Sequence, residues 1–231
     1  MKRIITKIEE ITGNIATLQA EGIVLGELAV IESLGRTTLG QVIRLNRDRV
    51  AVQVFGGTKG ISTNSSVHFL GRPMQVRYGE SLLGRIMSGS GAPIDGGPEP
   101  VEEEIPIGGP SFNPANRIIP RQMIRTNIPM IDVFNSLVVS QKLPIFSVPG
   151  EPYNQVLARV GMQAEADVII LGGMGLKFDD YIFFRRTFEE SGVMNRVIMF
   201  IHLASDPVVE CLLVPDMSRA VAERFAAAGR R

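Results

Sequence analysis

Two short runs, Asp167-Val168-Ile169-Ile170-Leu171-Gly172 and Arg196-Val197-Ile198-Met199-Phe200-Ile201, contain no alternation of apolar and polar residues. A strand with one wet face alternates, so runs of this kind belong to strands covered on both faces. That cover takes helices above and below, and the surrounding sequence supplies them. Helical patterns span 153–166 and 178–191, the second closing at Gly192 as a C-terminal cap. Asp206-Pro207 opens a further helix in the order cap then proline. Another starts at Asp216, with alanines that end at Gly229. Upstream, Asp132 to Val139 has helical spacing through Val133 and Leu137, and Lys142 to Val148 is an apolar run read as a strand. The alternation predicts a parallel βαβ domain over 123–231. At Arg230-Arg231 the pattern calls for one more strand, so the domain reads as incomplete.

Residues 1–70 have a different grammar. Ile4-Ile5, Ile15 to Leu18, Leu28 to Ile31, Gly40 to Leu45 and Arg49 to Phe55 are short apolar or alternating runs, separated by turn residues such as Thr12-Gly13-Asn14. Short strands at regular spacing point to a small closed barrel, because closure removes exposed sheet edges. Between the two regions, 71–122 is dense in Gly and Pro, as in Gly89 to Pro93 and Asp95 to Pro100. It reads as ordered turns or a connecting segment, and Glu102 to Glu104 as a solvated face.

Charge and cysteine usage narrow the functions. Acidic and basic residues number 24 each, so the chain as a whole does not attract nucleic acid or anionic membrane. No apolar run is long enough to span a bilayer, and Met1-Lys2-Arg3 does not lead into a signal peptide. Cys211, the single cysteine, reads as a small apolar residue on a helix.

A loop between an apolar strand and a helix N-terminus is where an α/β protein holds phosphate, because unpaired amides and the helix dipole point at the anion. Here that loop is Ser147-Val148-Pro149-Gly150-Glu151-Pro152-Tyr153-Asn154-Gln155. A working P-loop reads G-x-x-x-x-G-K-[ST], with a lysine for the phosphates and a hydroxyl for magnesium. This loop lacks the pattern, and no G-x-x-x-x-G-K occurs elsewhere. Two prolines remove donors, Glu151 adds repulsion and Tyr153 obstructs approach, so a plain strand–turn–helix connection is the better reading.

Three stretches carry a resemblance. They are Val52-Gln53-Val54-Phe55-Gly56-Gly57-Thr58-Lys59-Gly60; Leu82-Leu83-Gly84-Arg85-Ile86 followed by Gly91-Ala92-Pro93-Ile94-Asp95-Gly96-Gly97-Pro98; and Asn113 to Arg121 with Ile131-Asp132 and Gln141 to Ser147. From about residue 4 to 229 the chain resembles the B subunits of A/V-type rotary ATPases. The resemblance implies a β-barrel domain followed by an α/β parallel-sheet domain of the P-loop ATPase type, lacking its C-terminal part and a helical domain. It implies a degenerate P-loop remnant at Gly150, Asn154 and Gln155 with weak or no binding. Asn154 stands where catalytic subunits have lysine, and Gln155 where they have threonine. Leu176, in Gly173-Met174-Gly175-Leu176-Lys177, stands where catalytic F-type subunits carry the carboxylate that polarises water. No catalytic or metal-ligating residue is therefore expected here.

The resemblance also implies a non-catalytic structural and regulatory role. Mg-ATP or ADP would lie at the boundary with a catalytic A subunit, in an alternating ring of three A and three B subunits joined by central and peripheral stalks. The complex would couple ATP synthesis or hydrolysis to proton or sodium movement from the cytoplasmic face of a membrane. Three departures stand out: Thr126-Asn127 where the family usually has Thr-Gly, Val139-Ser140-Gln141 for Arg-Gly-Gln, and Val148 for Gly. The competing class is a hexameric nucleic-acid motor, which needs stacking aromatics on its barrel; residues 1–54 contain none. A βαβ scaffold without present activity is the third reading. Phe183, Phe184 and Phe188 read as core, His68 and His202 as ordinary histidines without a base or metal partner, and Lys59 as a turn cation.

Overall fold

A computed structural model describes residues 3–108, 115 and 119–230. Of the family-like stretch Asn113 to Arg121, residues Asn113, Pro114, Asn116, Arg117 and Ile118 lie outside the described residues. Six strands, β1 (Arg3–Thr12), β2 (Ile15–Gln19), β3 (Glu27–Ser33), β4 (Arg36–Asn46), β5 (Arg49–Val54) and β6 (Ser66–Pro73), close into a barrel in the order β1-β2-β5-β4-β3-β6. Every pairing is antiparallel, and Lys7 opposite Ser66 is part of the closing seam. The period of two fills the interior, as Val50, Val52 and Val54 point in with Leu18, Val67 and Phe69.

The Gly/Pro-rich segment is more than a connection. It forms β7 (Gln75–Arg77), β8 (Ile86–Ser88) and β9 (Glu104–Pro106). β7 and β9 pair with each other, whereas β8 lies parallel to β11 (Val197–Leu203) and becomes part of the downstream sheet. That sheet has the order β10-β11-β8, with β10 (Ile169–Leu176) parallel to β11. The glutamate run is also more than a solvated face. Glu103 accepts from Arg224 at 2.9 Å, Glu104 pairs with Arg72 and with Arg77, and the Ser81 hydroxyl holds the Glu102 carboxyl below its ordinary value.

The downstream helices are α1 (Pro129–Phe134), α2 (Tyr153–Gln163), α3 (Phe178–Glu190) and α4 (Leu213–Ala227). β11 is buried on both faces, as its sequence demands. Val197, Met199 and Ile201 pack with Phe184 and Phe188 of α3. Ile198 and Phe200 pack on the opposite side with Val214, Met217 and Phe225 of α4. β10, predicted to be buried alike, is only half-buried, because the sheet runs β10-β11-β8 and leaves β10 at its edge. The α4 core continues through Met74, Val76 and Ile105 to Leu28 and Phe55 of the barrel, so one apolar cluster joins the two parts.

Four expectations need correction. The helix assigned to Asp132–Val139 is α1, three residues earlier, and it ends where Asn135 leaves helical geometry. Asp132 itself accepts the Thr126 and Asn127 amides and so closes a turn. Val138 bridges to Met123 instead of continuing the helix. Lys142 to Val148 forms no strand among the described residues, because no neighbour in the sheet offers it a ladder. Asp206 accepts from the Leu203 amide at 2.8 Å, and a 3-10 turn, Val208–Leu212, stands where a helix was expected. α4 starts at Leu213, before Asp216, with Pro215 in its first turn where the missing N–H does no harm.

Candidate functional site

Loop 147–155 and the start of α3 border an open cavity of 830 Å³, lined by Gly150, Asn154, Gln155, Lys177, Asp179 and Asp180 among others. The loop turns at Gly150, whose φ of +97° suits a residue without a Cβ. Three of its seven backbone N–H groups are engaged within the loop. The Glu151 amide donates to the Val148 carbonyl at 3.2 Å, the Tyr153 amide to Glu151 at 2.9 Å, and the Gln155 amide to Pro152 at 3.0 Å. Pro149 and Pro152 have no N–H to offer. At the N-terminus of α2 the Asn154 amide nitrogen donates to Asp180 Oδ1 at 2.9 Å. A carboxylate of the protein thus sits one hydrogen bond away from the helix turn that would cradle phosphate in a working P-loop.

Charge points the same way. Three carboxylates, from Glu151, Asp179 and Asp180, line the cavity with one cation, Lys177. Asp179 and Asp180 occupy the first turn of α3, where they complement that helix's own dipole. The sequence places Gly150, Asn154 and Gln155 in one loop; the structure keeps Gly150 in the turn, puts Asn154 and Gln155 in the first turn of α2, and brings all three to the cavity. Asp180 was not foreseen, since its contact with Asn154 joins two helices that no local spacing connects.

The second family position lies at the C-terminal end of β10, where the pairing with β11 is irregular. Gly173 packs so close to Leu176 that a Cβ there would lie 2.5 Å from Leu176 Cδ1. Leu176 is half-buried against the α3 core. This end of β10 also bonds His202 of β11, which is 4% exposed. Its Nδ1 accepts the Gly175 amide at 3.1 Å, and its Nε2 faces the Pro207 carbonyl at 3.1 Å. His68 in the barrel lies 3.7 Å from Glu32, an acidic partner that its sequence neighbours did not reveal. Phe184 and Phe188 are core, while Phe183 is half-buried and lines the cavity.

The two domain patterns can be matched independently. The beta-barrel domain of the ATP synthase alpha/beta family matches residues 8–71, and the nucleotide-binding domain of the same family matches 127–231. The chain belongs to the ATP synthase alpha/beta family. Relatives include the V-type ATP synthase beta chains of Treponema denticola (58% identical over 230 residues, 100% of this chain and 53% of that protein) and of Borrelia turicatae (58% over 231 residues, 100% and 53%). The beta chain of Protochlamydia amoebophila is 57% identical over 231 residues, again 100% and 53%. The chain thus spans about half the length of the curated relatives it matches.

Two departures from the rotary ATPase pattern now have a backbone explanation. Asn127 and Ser140, which stand where the family usually has glycine, adopt φ of +57° and +66°. They are two of four non-glycine residues with positive φ among the described residues. Asparagine tolerates this region better than most, and the Asn127 side chain also donates to the Gln163 carbonyl at 2.9 Å. The family-like Leu82–Pro98 stretch has a structural centre. Arg85 forks onto Asp95 at 2.6 and 3.0 Å and donates to the Pro98 carbonyl at 2.8 Å. Asp95 accepts from the Ile86 and Gly97 amides as well. The Arg85 guanidinium and those amides hold the Asp95 carboxyl far below the usual carboxylate range. This pair fixes β8, the strand that joins the sheet.

Proposed function

We propose that the chain acts as the non-catalytic B subunit of an A/V-type rotary ATPase or ATP synthase. The observation that carries this reading is the loop's chemistry: the Asn154 side chain binds Asp180, carboxylates line the cavity, and the amides of Glu151, Tyr153 and Gln155 bond within the loop. These residues do not fit a Mg-nucleotide held by the loop itself, where a lysine, a hydroxyl and free amides are needed. With Leu176 packed in place of a carboxylate, no group in the β10–α3 loop can polarise water. Gly150, Asn154 and Gln155 are then a remnant with weak or no affinity.

In this reading three such subunits alternate with three catalytic A subunits, and nucleotide lies at their boundary. The A subunit supplies the P-loop, and this chain supplies a stiff wall. Stalk subunits transmit the rotation that couples ATP synthesis or hydrolysis to proton or sodium movement. The complex stands peripherally on the cytoplasmic face of a membrane; no helix among the described residues is long and apolar enough to cross one. Co-purification with a catalytic A subunit tests the proposal. A stable complex with Mg-ATPase activity that depends on the A subunit's P-loop lysine is expected. Failure to associate, or activity carried by this chain alone, overturns it.

A further inference from the structure

The buried ring of His202 on β11 hydrogen-bonds Gly175 near the C-terminal end of β10. An amide can only donate, so the Gly175 N–H at 3.1 Å requires an unprotonated Nδ1. The remaining nitrogen, Nε2, must then carry the hydrogen and donate to the Pro207 carbonyl at 3.1 Å. Both contacts are satisfied by one species, the neutral Nε2–H tautomer. A second proton has no place except Nδ1, where it would oppose the Gly175 N–H.

The surroundings offer a cationic ring other partners. Glu210, on the 3-10 turn, and Asp206, in the preceding turn, line a cavity of 470 Å³ beside this site. Glu210 is within electrostatic reach of both His202 and Asp206. From α3 the same cavity receives Tyr181 and Arg185, and Arg185 already bonds Glu189 at 2.8 Å. The β8 side contributes Gly89, where a Cβ would lie 3.3 Å from His202 Cβ, and the hydroxyls of Ser88 and Ser90, which bond each other. From the β10–α3 loop the charged neighbour is Lys177, which lines the 830 Å³ cavity.

We infer that His202 is a proton-sensitive clasp: as neutral imidazole it holds the irregular C-terminal end of β10, residues 173–176, against β11, and as imidazolium it lets go of Gly175 and turns toward Glu210 and Asp206. Release loosens a strand end that the Leu176–Leu203 pairing still anchors; its Gly175 adopts φ of +63°, and the next residue after β10, Lys177, borders the cavity with Asn154 and Asp180. Acid therefore loosens one wall of that cavity without unfolding the sheet. The inference rests on the geometry of this chain and stands whether or not the subunit role proposed above is right.

Nitrogen-15 correlation spectra of the histidine rings, recorded on the whole chain across a pH series, test it. At neutral pH Nδ1 of His202 should resonate as unprotonated and Nε2 as protonated. On acidification the His202 ring and the amides of Gly175, Leu176 and Lys177 should shift with one shared midpoint. Amides of the buried α4 residues Met217 and Val221 should stay still. Protection of the Gly175 amide from hydrogen exchange should fall about fivefold across that midpoint, the worth of one hydrogen bond. His202→Asn, whose side-chain carbonyl can accept in place of Nδ1, should keep the protection and remove the step. An Nδ1–H tautomer at neutral pH, or a Gly175 amide indifferent to the His202 midpoint, overturns the inference. So does a step that persists in His202→Asn. If that variant does not fold, the tautomer and midpoint of the wild-type chain decide alone.

Discussion

Ser140 has no side-chain compensation for its positive φ comparable with that of Asn127, whose amide reaches the Gln163 carbonyl. Ser140→Gly should therefore stabilise the chain by about 0.5–1 kcal/mol in denaturant unfolding. Asn127→Ala loses both the tolerance and the bond, and should cost about 1–2 kcal/mol. Two carboxylates give opposite pH signatures. Asp95 has a folded pKa depressed by Arg85, so its stabilisation is complete above the ordinary carboxylate pKa of about 4 and fades as pH falls below it. Asp95→Asn should be less stable than wild type at pH 7, with a gap that narrows in acid. Burial and the nearby Asp206 raise the Glu210 carboxyl, while His202 opposes them. A raised folded pKa favours the fold at low pH and penalises it above, so Glu210→Gln should unfold at higher temperature than wild type near pH 7. That gain should vanish as the pH drops through the carboxylate range.

At the scale of elements, the segment from Lys142 to Val148 shows what sequence reading could and could not reach. Its residues are those of a buried strand, yet Phe146 is 90% exposed and Val148 64%. Tyr153 and Val156 of α2 border the same apolar groove. An unpaired apolar segment recruits other chains, so this chain should self-associate in light scattering as its concentration rises. Phe146→Glu should weaken that association several-fold without lowering the unfolding midpoint. Apolar composition suggested a strand here, and none forms, because a strand depends on a neighbour that local sequence does not name. β8 shows the converse. Ile86-Met87-Ser88 is too short to announce itself within a Gly/Pro tract, and only contact with Met199 to Ile201 makes it a strand. β11 and α3 were readable because burial on both faces and helical period are local signals. The capping of α2 was not readable. Arg196 donates to the Met162 carbonyl at 2.8 Å and to that of Ala166 at 2.5 Å, placing a cation at a helix end from a distant part of the chain.

For the whole molecule, the shared core makes barrel and sheet one mechanical body. Phe225 packs edge-on against Tyr78 with ring centroids 5.0 Å apart, and Arg224 lies 5.7 Å over the same ring while binding Glu103. Phe225→Ala should cost about 3–5 kcal/mol, whereas Glu103→Ala, at an exposed ion pair, should cost under about 1 kcal/mol. A wall that is stiff across its domains suits a subunit that works through its interfaces. The candidate site was legible chiefly as an absence of lysine, hydroxyl and carboxylate at family positions. Its positive content, the Asn154–Asp180 bond, required coordinates because it joins helices distant in sequence. Asn154→Lys alone should not create turnover, since Leu176 still offers no carboxylate at the second family position. The most direct test is calorimetric titration of the purified chain with Mg-ATP. The account predicts no saturable binding at micromolar concentration. Micromolar affinity that disappears on changing Asn154 would contradict it.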